Sequence, residues 1–400
     1  MPTAERRWWW IAVAVVLAAA GGGWLARRPL GDAAAWIADR AKESPAAVAG
    51  WATRLRTIAA GVPDREVEAR TVGTDSRSAL VVLGDGPGDS AFALLAVSPE
   101  GVGTLTLLPQ ALLGVVPGYG EFTLAEALAF EGPDLSALTV TNLLGVRIDG
   151  ILPLAAGELA AALPASITVD LPAPLFVTEG GGAAPVLAAG PQQIAPAVVE
   201  VLLTTAGAGD PFEWLQRQGA AWRGILGAVA AEPAVADRLT ASMLSGGPRV
   251  ADLVLALATG GDLFLGSLPV EQVATAGGEG LALSAGAGSE FVPARLGHLL
   301  LRAGERPRVE VLNGNGRIGA TRVVAETVVR RGFRVVRTDN ADRFDYASTL
   351  VIAQGQDAAA AAREIAGAVG AGTVYLEEAA PSLVVDVSII VGLDIPSGEA

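Results

Sequence analysis

From residue 76 onward, short apolar runs alternate with turn residues. SALVVLGD and SAFALLAV flank the turn GDGPGDS, and VGTLTLLP follows closely. Three such runs predict three closely spaced strands at the start of an α/β core. Helical patterns come next at TLAEALAFEG and DLSALTVTNLLG, then a strand at DGILPLA. GELAAALP reads as a short helix and SITVDLP as a strand, and TEGGGAAPVLAAGP (178–191) is a glycine/proline loop. IAPAVVEVLLTTAG, DPFEWLQRQGAAWRGILGAVAA, PAVADRLTASML and VADLVLALATGG read as helices, and 262–306 mixes short elements. A boundary falls around ERPRVEV (305–311). Beyond it the pattern predicts a strand at 308–312, a helix at 318–331, strands at 333–338 and 348–353, and a helix at 357–369. Runs at TVYLE and SLVVDVSIIVGLD complete a small α/β domain of roughly 90 residues.

The N-terminus has a different pattern. RRWWWIAVAVVLAAAGGGWLARR carries no charge between Trp8 and Ala26. At about 1.5 Å per residue this run nearly crosses a bilayer core of roughly 30 Å. Trp8, Trp9, Trp10 and Trp24 fall where an aromatic belt would lie. The run is long for a signal peptide and an arginine pair follows it, so an uncleaved transmembrane anchor is the expectation. Residues 1–7 then form a short cytoplasmic stub, with the body outside. Residues 27–70 read as a juxtamembrane helical stalk with Trp36, Ile37, Trp51 and Leu55 as apolar positions.

Composition narrows the function. The net charge is -14, and Lys42 is the one lysine among 28 basic residues. No basic cluster is present, which argues against nucleic acid as a partner. Cysteine is absent, so disulfides, thiol catalysis and Cys-ligated metals are excluded. The single histidine, His298, lies in RLGHLLL on an apolar helix, where a structural role is expected. No Walker-type phosphate loop occurs. Asp85 and Asp89 lie in the turn between the first two strands. Such a carboxylate could hold Mg²⁺, with Asp89 the candidate ligand, but aspartate in a Gly/Pro turn is also ordinary turn chemistry.

VEVLNGNGRIGATRVV (309–324) spells G-x-G-x-x-G with Gly314, Gly316 and Gly319, and Asp339 follows at the end of a second strand. That is the spacing of a dinucleotide fingerprint. Asn313 and the three glycines also suit a tight strand-to-helix turn whose free N–H groups could hold an anion.

The order of features from 76 to 300 resembles the LytR–CpsA–Psr (LCP) domain. The family attaches anionic glycopolymers to bacterial cell wall from polyprenyl-pyrophosphate donors. GDSAFALLAV is similar to its D-S-I strand. VGTLTLLPQALLGVVPGYGE is similar to its S-I-P-R-D strand and P-G loop, and FTLAEALAFEGPDLSALTVTNLLGVRIDGILPL to its K-I-N…G-G-P helix with the following strand. DPFEWLQRQGAAWRGIL resembles its D…R…R-Q helix. Residues 308–395 resemble the LytR C-terminal domain through V-L-N-G-x-G, Gly332-Phe333 and V-D-V-x-x-x-x-G-x-D at 385–394.

The resemblance implies an α/β/α LCP-like domain with a mixed central sheet (71–304), a small C-terminal α/β domain (305–395) and a tail (396–400). It also exposes departures. The motif arginine is Gln110 and the motif aspartate Ala111. The K-I-N positions read Thr123, Leu124 and Ala125, the R-x-R pair falls in LLTTAG, and the first arginine of the D…R…R-Q helix is Trp214. Asp89, Asp210, Arg217 and Gln218 remain. Transfer from a pyrophosphate needs cations, and arginine forks supply them by paired hydrogen bonds. The expectation is therefore a degenerate, non-catalytic, membrane-anchored envelope protein without a cofactor, binding a lipid-linked glycan, a wall polymer or a protein partner. The alternatives are a Mg-dependent transferase using Arg147 or Arg223, and a dinucleotide enzyme.

Overall fold

The computed structural model describes residues 77–179, 182–206, 211–243, 246–275, 278–377 and 384–396. The expected anchor and stalk lie outside these residues. Among the described residues no helix is long and apolar enough to cross a membrane.

In chain order the first lobe opens with β1 (Arg77–Leu83), β2 (Ala91–Val97) and β3 (Gly103–Leu108). A hairpin follows, β4 (Leu113–Val116) and β5 (Gly120–Thr123), then helices α1 (Leu124–Glu131) and α2 (Pro133–Leu144). β6 (Gly150–Leu154), α3 (Glu158–Ala162) and β7 (Ile167–Leu171) come next. β8 (Leu175–Glu179) and β9 (Gly182–Leu187) pair where the sequence predicted only a loop, and β10 (Gly190–Ile194) pairs with β7. Helices α4 (Pro196–Thr204), α5 (Pro211–Ala231), α6 (Ala234–Leu239) and α7 (Gly247–Thr259) lead to β11 (Leu263–Ser267). The hairpin β12 (Val270–Thr275) and β13 (Gly278–Leu283) and helix α8 (Ala285–Leu296) close the lobe.

The central sheet has the order β11-β3-β2-β1-β6. β1, β2 and β3 form an antiparallel meander, whereas β6 joins β1 and β11 joins β3 in parallel. Every residue of β2 is buried, because helices cover both faces. Ala79, Val81 and Leu83 face a core with Leu202 of α4, Ile225 of α5 and Val254 of α7. Leu80 and Val82 face another with Leu124 and Leu128 of α1, Val140 of α2 and Leu296 of α8. The lobe is thus an α/β/α sandwich around a mixed sheet.

Local signals fix the helices near the motifs. Thr123 caps α1 in a capping box with Glu126: its hydroxyl accepts from Glu126 N at 3.2 Å, and its own N–H donates to Glu126 Oε2 at 2.8 Å. The position that resembles the family's lysine is therefore a helix N-cap here. α2 starts at Pro133 and ends at Gly145, whose φ of 72° is the left-handed cap glycine favours.

The second lobe comprises β14 (Arg308–Asn313), α9 (Ala320–Arg330), β15 (Arg334–Asn340), β16 (Leu350–Gln354), α10 (Ala359–Val369), β17 (Thr373–Glu377) and β18 (Val387–Val391). Its sheet order is β15-β14-β18-β16-β17, with β16 antiparallel to β18 and the other pairs parallel. α9 starts two residues later than the sequence pattern predicted, because Gly316 and Gly319 at φ of 69° and 80° hold the preceding turn out of helical geometry.

The lobes share a core. Val116, Ala127, Leu135 and Leu138 of the first pack with Val324, Val328 and Val335 of the second. Asn142, 2% exposed on α2, crosses the junction. Its Nδ2 donates to Val115 O at 2.9 Å and Val335 O at 2.8 Å, and its Oδ1 accepts from Val335 N at 2.8 Å. Arg306 donates to the carbonyls of Asn142, Gly332 and Phe333. Burial without a carboxylate lowers its pKa to about 10.

Candidate functional site

The turn between β1 and β2 folds back on Gly84. A side chain there would lie 1.9 Å from Asp89 O, and φ is 76°. The turn is tied to the end of β3 by Gln110, whose Oε1 accepts from Gly88 N at 3.0 Å and from the fully buried Ser90 hydroxyl at 3.2 Å. The Gln110 segment is pinned in turn. Gln110 O accepts from Ala125 N, Leu112 O from Leu124 N, and Ala111 O from Leu281 N. So Gln110 stands beside the Asp89 turn. The group facing the turn is a carbonyl oxygen rather than a guanidinium.

Asp85 and Asp89 are exposed. Neither is ion-paired among the described residues, which also contain no cluster of three metal-ligating side chains. Asp85 borders a cleft of about 200 Å³ with Gly84, Leu128, Gly132, Pro133 and Pro153. Ligand pockets typically hold roughly 300–1,000 Å³. The apolar crevice between β4 and α2, lined by Leu112, Leu124 and Val140, has no room for a water molecule.

Trp214, Arg217 and Gln218 lie on α5, and Asp210 lies outside the described residues. Arg217 is buried, donates to Ala206 O at 2.6 Å and stands 4.0 Å from Glu213. Burial pushes its pKa down, with Glu213 opposing. Its ion-pair partner is thus Glu213, and among the described residues no contact joins the two remaining motif residues Asp89 and Arg217. Gln218 Nε2 donates to Leu203 O at 2.6 Å.

The expected substitutes do not reach the turn. Arg147 pairs with Asp149, which accepts from Ser78 at the start of β1, the end opposite Asp89. Arg223 is exposed on α5, about 9 Å of helical rise beyond Arg217. His298 sits in a turn after α8 with its pKa lowered by burial, although Glu100 opposes the shift.

In the second lobe the amides of residues 314–317 in the glycine-rich turn are spent internally. Gly314 N donates to Val391 O. Asn315 N and Gly316 N donate to Asn313 Oδ1 at 3.2 and 2.9 Å, and Arg317 N to Asn315 Oδ1 at 2.9 Å. Of the expected anion cradle of Asn313, Gly314, Gly316 and Gly319, the Gly314 and Gly316 amides are therefore already engaged. A side chain at Gly314 would meet Ile390 at 2.6 Å and Tyr346 at 2.9 Å, and one at Gly316 would meet Phe344 at 3.2 Å. Gly314 and Gly316 admit the protein's own 341–346 loop where a dinucleotide fingerprint admits a pyrophosphate. The dinucleotide alternative is set aside on that geometry. The other motif residues are stitches too. Asp386 accepts from Arg308 N at 2.7 Å and from its guanidinium, and Asp394 accepts from Thr349 N at 2.8 Å and its hydroxyl at 2.7 Å. Gly392 lies so close to Ser348 that a side chain would come within 2.3 Å of its carbonyl carbon.

Sequence reading missed the residues at the junction. Asn142 interrupts an apolar helix, which was a visible signal. Arg322 was not visible as a junction residue: it pairs with Glu131 of α1 at 3.0 Å and Glu326 at 2.7 Å, and Tyr119 also donates to Glu131.

Residues 306–394 match the LytR C-terminal family profile, described as LytR cell envelope-related transcriptional attenuator. The second lobe is a LytR C-terminal domain. Solved structures with similarity to the chain include TagV of B. subtilis, 14% identical over 57% of this chain and 98% of that one, TM-score 0.46. A transcriptional regulator from Enterococcus faecalis is 17% identical over 56% of this chain and 88% of that one, TM-score 0.45. TagT bound to LIIa-WTA is 17% identical over 59% of this chain and 97% of that one, TM-score 0.42. No curated protein matches.

Proposed function

We propose that this is a membrane-anchored, extracytoplasmic cell-envelope protein that works by binding rather than by transfer. Its ligand is a lipid-linked glycan, a wall polymer or an envelope protein partner. The C-terminal lobe supports the envelope setting, and the apolar run Trp8–Ala26 supports the anchor.

One observation carries the non-catalytic reading. Gln110 presents its carbonyl to the Asp89 turn, at the position that resembles the family's motif arginine. A carbonyl oxygen repels a pyrophosphate oxygen where a guanidinium would hold it. In phosphoryl transfer one well-placed arginine is worth about 10³–10⁵ in rate. Ala111 and Trp214 remove further polar groups, and neither Arg147 nor Arg223 replaces them.

The test is a transferase assay on the full-length protein with a polyprenyl-pyrophosphate-linked glycan, acceptor peptidoglycan and Mg²⁺. The expected result is no turnover above the protein-free control, with binding of peptidoglycan or donor in sedimentation or flotation. Turnover that Asp89→Ala abolishes would establish the Mg-dependent transferase instead.

A further inference from the structure

Three segments of the second lobe each leave a large apolar side chain in solvent at the same end of the lobe. Ile318 is 49% exposed, Phe344 51% and Leu393 45%. They come from the glycine-rich turn, the 341–346 loop and the segment after β18. The three segments touch. A methyl group at Gly316 would meet Phe344 Cβ at 3.2 Å. Leu393 N donates to Tyr346 O at 2.9 Å, and Asn315 Nδ2 donates to Gly392 O at 2.8 Å. They are also pinned: Asn313 Oδ1 holds the amides of Asn315 and Gly316, and Asp394 holds the amide and hydroxyl of Thr349. The exposure of the three side chains is therefore built into the fold, as one apolar tip.

The size of the tip selects its partner. Three half-exposed side chains offer roughly 300 Å², whereas a stable protein–protein interface buries about 800 Å² on each partner. A second copy or a freely diffusing protein would gain too little. A bilayer asks for less, because a tethered body already meets it at high effective concentration. The flanking charges agree with this. Arg317 and Arg343 stand beside the apolar residues, where long cationic stems lie along acyl chains and guanidiniums reach headgroup phosphates. The nearby carboxylates are engaged: Asp345 pairs with Arg343 at 3.3 Å, and Asp342 accepts from the Tyr346 hydroxyl at 2.7 Å.

We propose that Ile318, Phe344 and Leu393 insert into the headgroup–acyl boundary of the membrane that carries the anchor, as a second attachment point for the body. The inference rests on the membrane-anchored reading above. It has a consequence for the first lobe. Arg322, four residues after Ile318, pairs with Glu131 at 3.0 Å, and the adjacent Gly132 lines the cleft at Asp85. Contact at the tip therefore sets that cleft near the bilayer, the phase from which a lipid-linked glycan would arrive.

The test uses the full-length protein in phospholipid vesicles. The chain has no cysteine, so one fluorophore can be placed at a chosen site. Asp345→Cys puts it in the tip. Arg331→Cys puts it just past the far end of α9, about 16 Å of helical rise away. The expected result is that nitroxide-bearing lipid quenches the label at 345 and aqueous iodide does not, with the reverse at 331. Combining Ile318→Ser, Phe344→Ser and Leu393→Ser should abolish lipid quenching at 345, while flotation with vesicles and the circular dichroism spectrum are retained. The two label readings stand without that variant. Iodide access at 345 in protein that still floats overturns the inference and leaves the anchored reading intact. Protein that does not float overturns the anchored reading, and the inference with it. A wild-type dimer in sedimentation that the triple variant dissolves assigns the tip to a second copy and overturns the inference as well.

Discussion

At the scale of the residue, the position that resembles a catalytic arginine has become a loop staple. Gln110 Oε1 holds Gly88 N–H and the buried Ser90 hydroxyl. Replacing it with leucine leaves Ser90 Oγ without its acceptor. The expected loss is about 1–3 kcal/mol, the usual cost of orphaning a buried polar group, read as a lowered urea midpoint at constant m-value. Asp89→Ala is the control. An exposed carboxylate without an ion pair should change stability by less than about 0.5 kcal/mol. Asn142 sits at the other extreme, with three backbone bonds made by one 2%-exposed amide. Asn142→Leu should cost about 2–4 kcal/mol in the same measurement, because the Val335 amide is stranded inside the junction.

At the scale of the element, the glycine-rich turn shows how far letters carry. Gly314→Ala puts a methyl group 2.6 Å from the Ile390 side chain and 2.9 Å from Tyr346. It should lower stability by about 1–3 kcal/mol in thermal or urea unfolding, while NAD(H) produces no heat in calorimetry with either form. Most strands and helices of both lobes were legible because apolar runs and periodicity are local properties, whereas the β8–β9 hairpin was hidden in a glycine/proline stretch. The β-α-β unit around the turn was legible for the same reason. The use of the turn was not, because Phe344, Tyr346 and Ile390 reach it from loops and strands distant in sequence. Charge pairing along α9 is local, with Glu326 four residues from both Arg322 and Arg330, whereas the Glu131 partner of Arg322 is distant in sequence. Burial alone would raise the Glu326 carboxyl, but the Arg322 and Arg330 guanidiniums overcome this and hold its pKa below the ordinary value. A lowered carboxylate stabilises the fold above its unfolded pKa of about 4.3 and loses that contribution as the pH falls through its folded value. The stability difference between wild type and Glu326→Gln should therefore be full at pH 7 and shrink below about pH 4. A pH-independent difference in urea midpoints would show that the Arg322 contacts are not electrostatic.

At the scale of the molecule, the two lobes were read as separate domains joined near residue 305, and the structure gives them a common core. Val116, Leu135 and Leu138 belong to the first lobe by sequence but pack with Val328 and Val335 of the second. Polar groups reinforce the join: Asn142 pairs with β15, Arg306 holds carbonyls from both sides, and Glu131 pairs with Arg322. A module that merely hung from a linker would bury none of these. Separating the lobes exposes apolar side chains on both and strands the Val335 amide, so each half should be destabilised. Intact protein should unfold in one calorimetric transition whose van't Hoff and calorimetric enthalpies agree for residues 77–400. A fragment ending at residue 304 should melt lower than that transition or fail to fold. If the fragment instead melts at the same temperature, the junction contributes contact without stability, and the LytR C-terminal domain is an independent module after all. The distinction matters for function. In a single cooperative unit, a ligand held by either lobe stabilises both, and a thermal shift measured on one reports binding at the other.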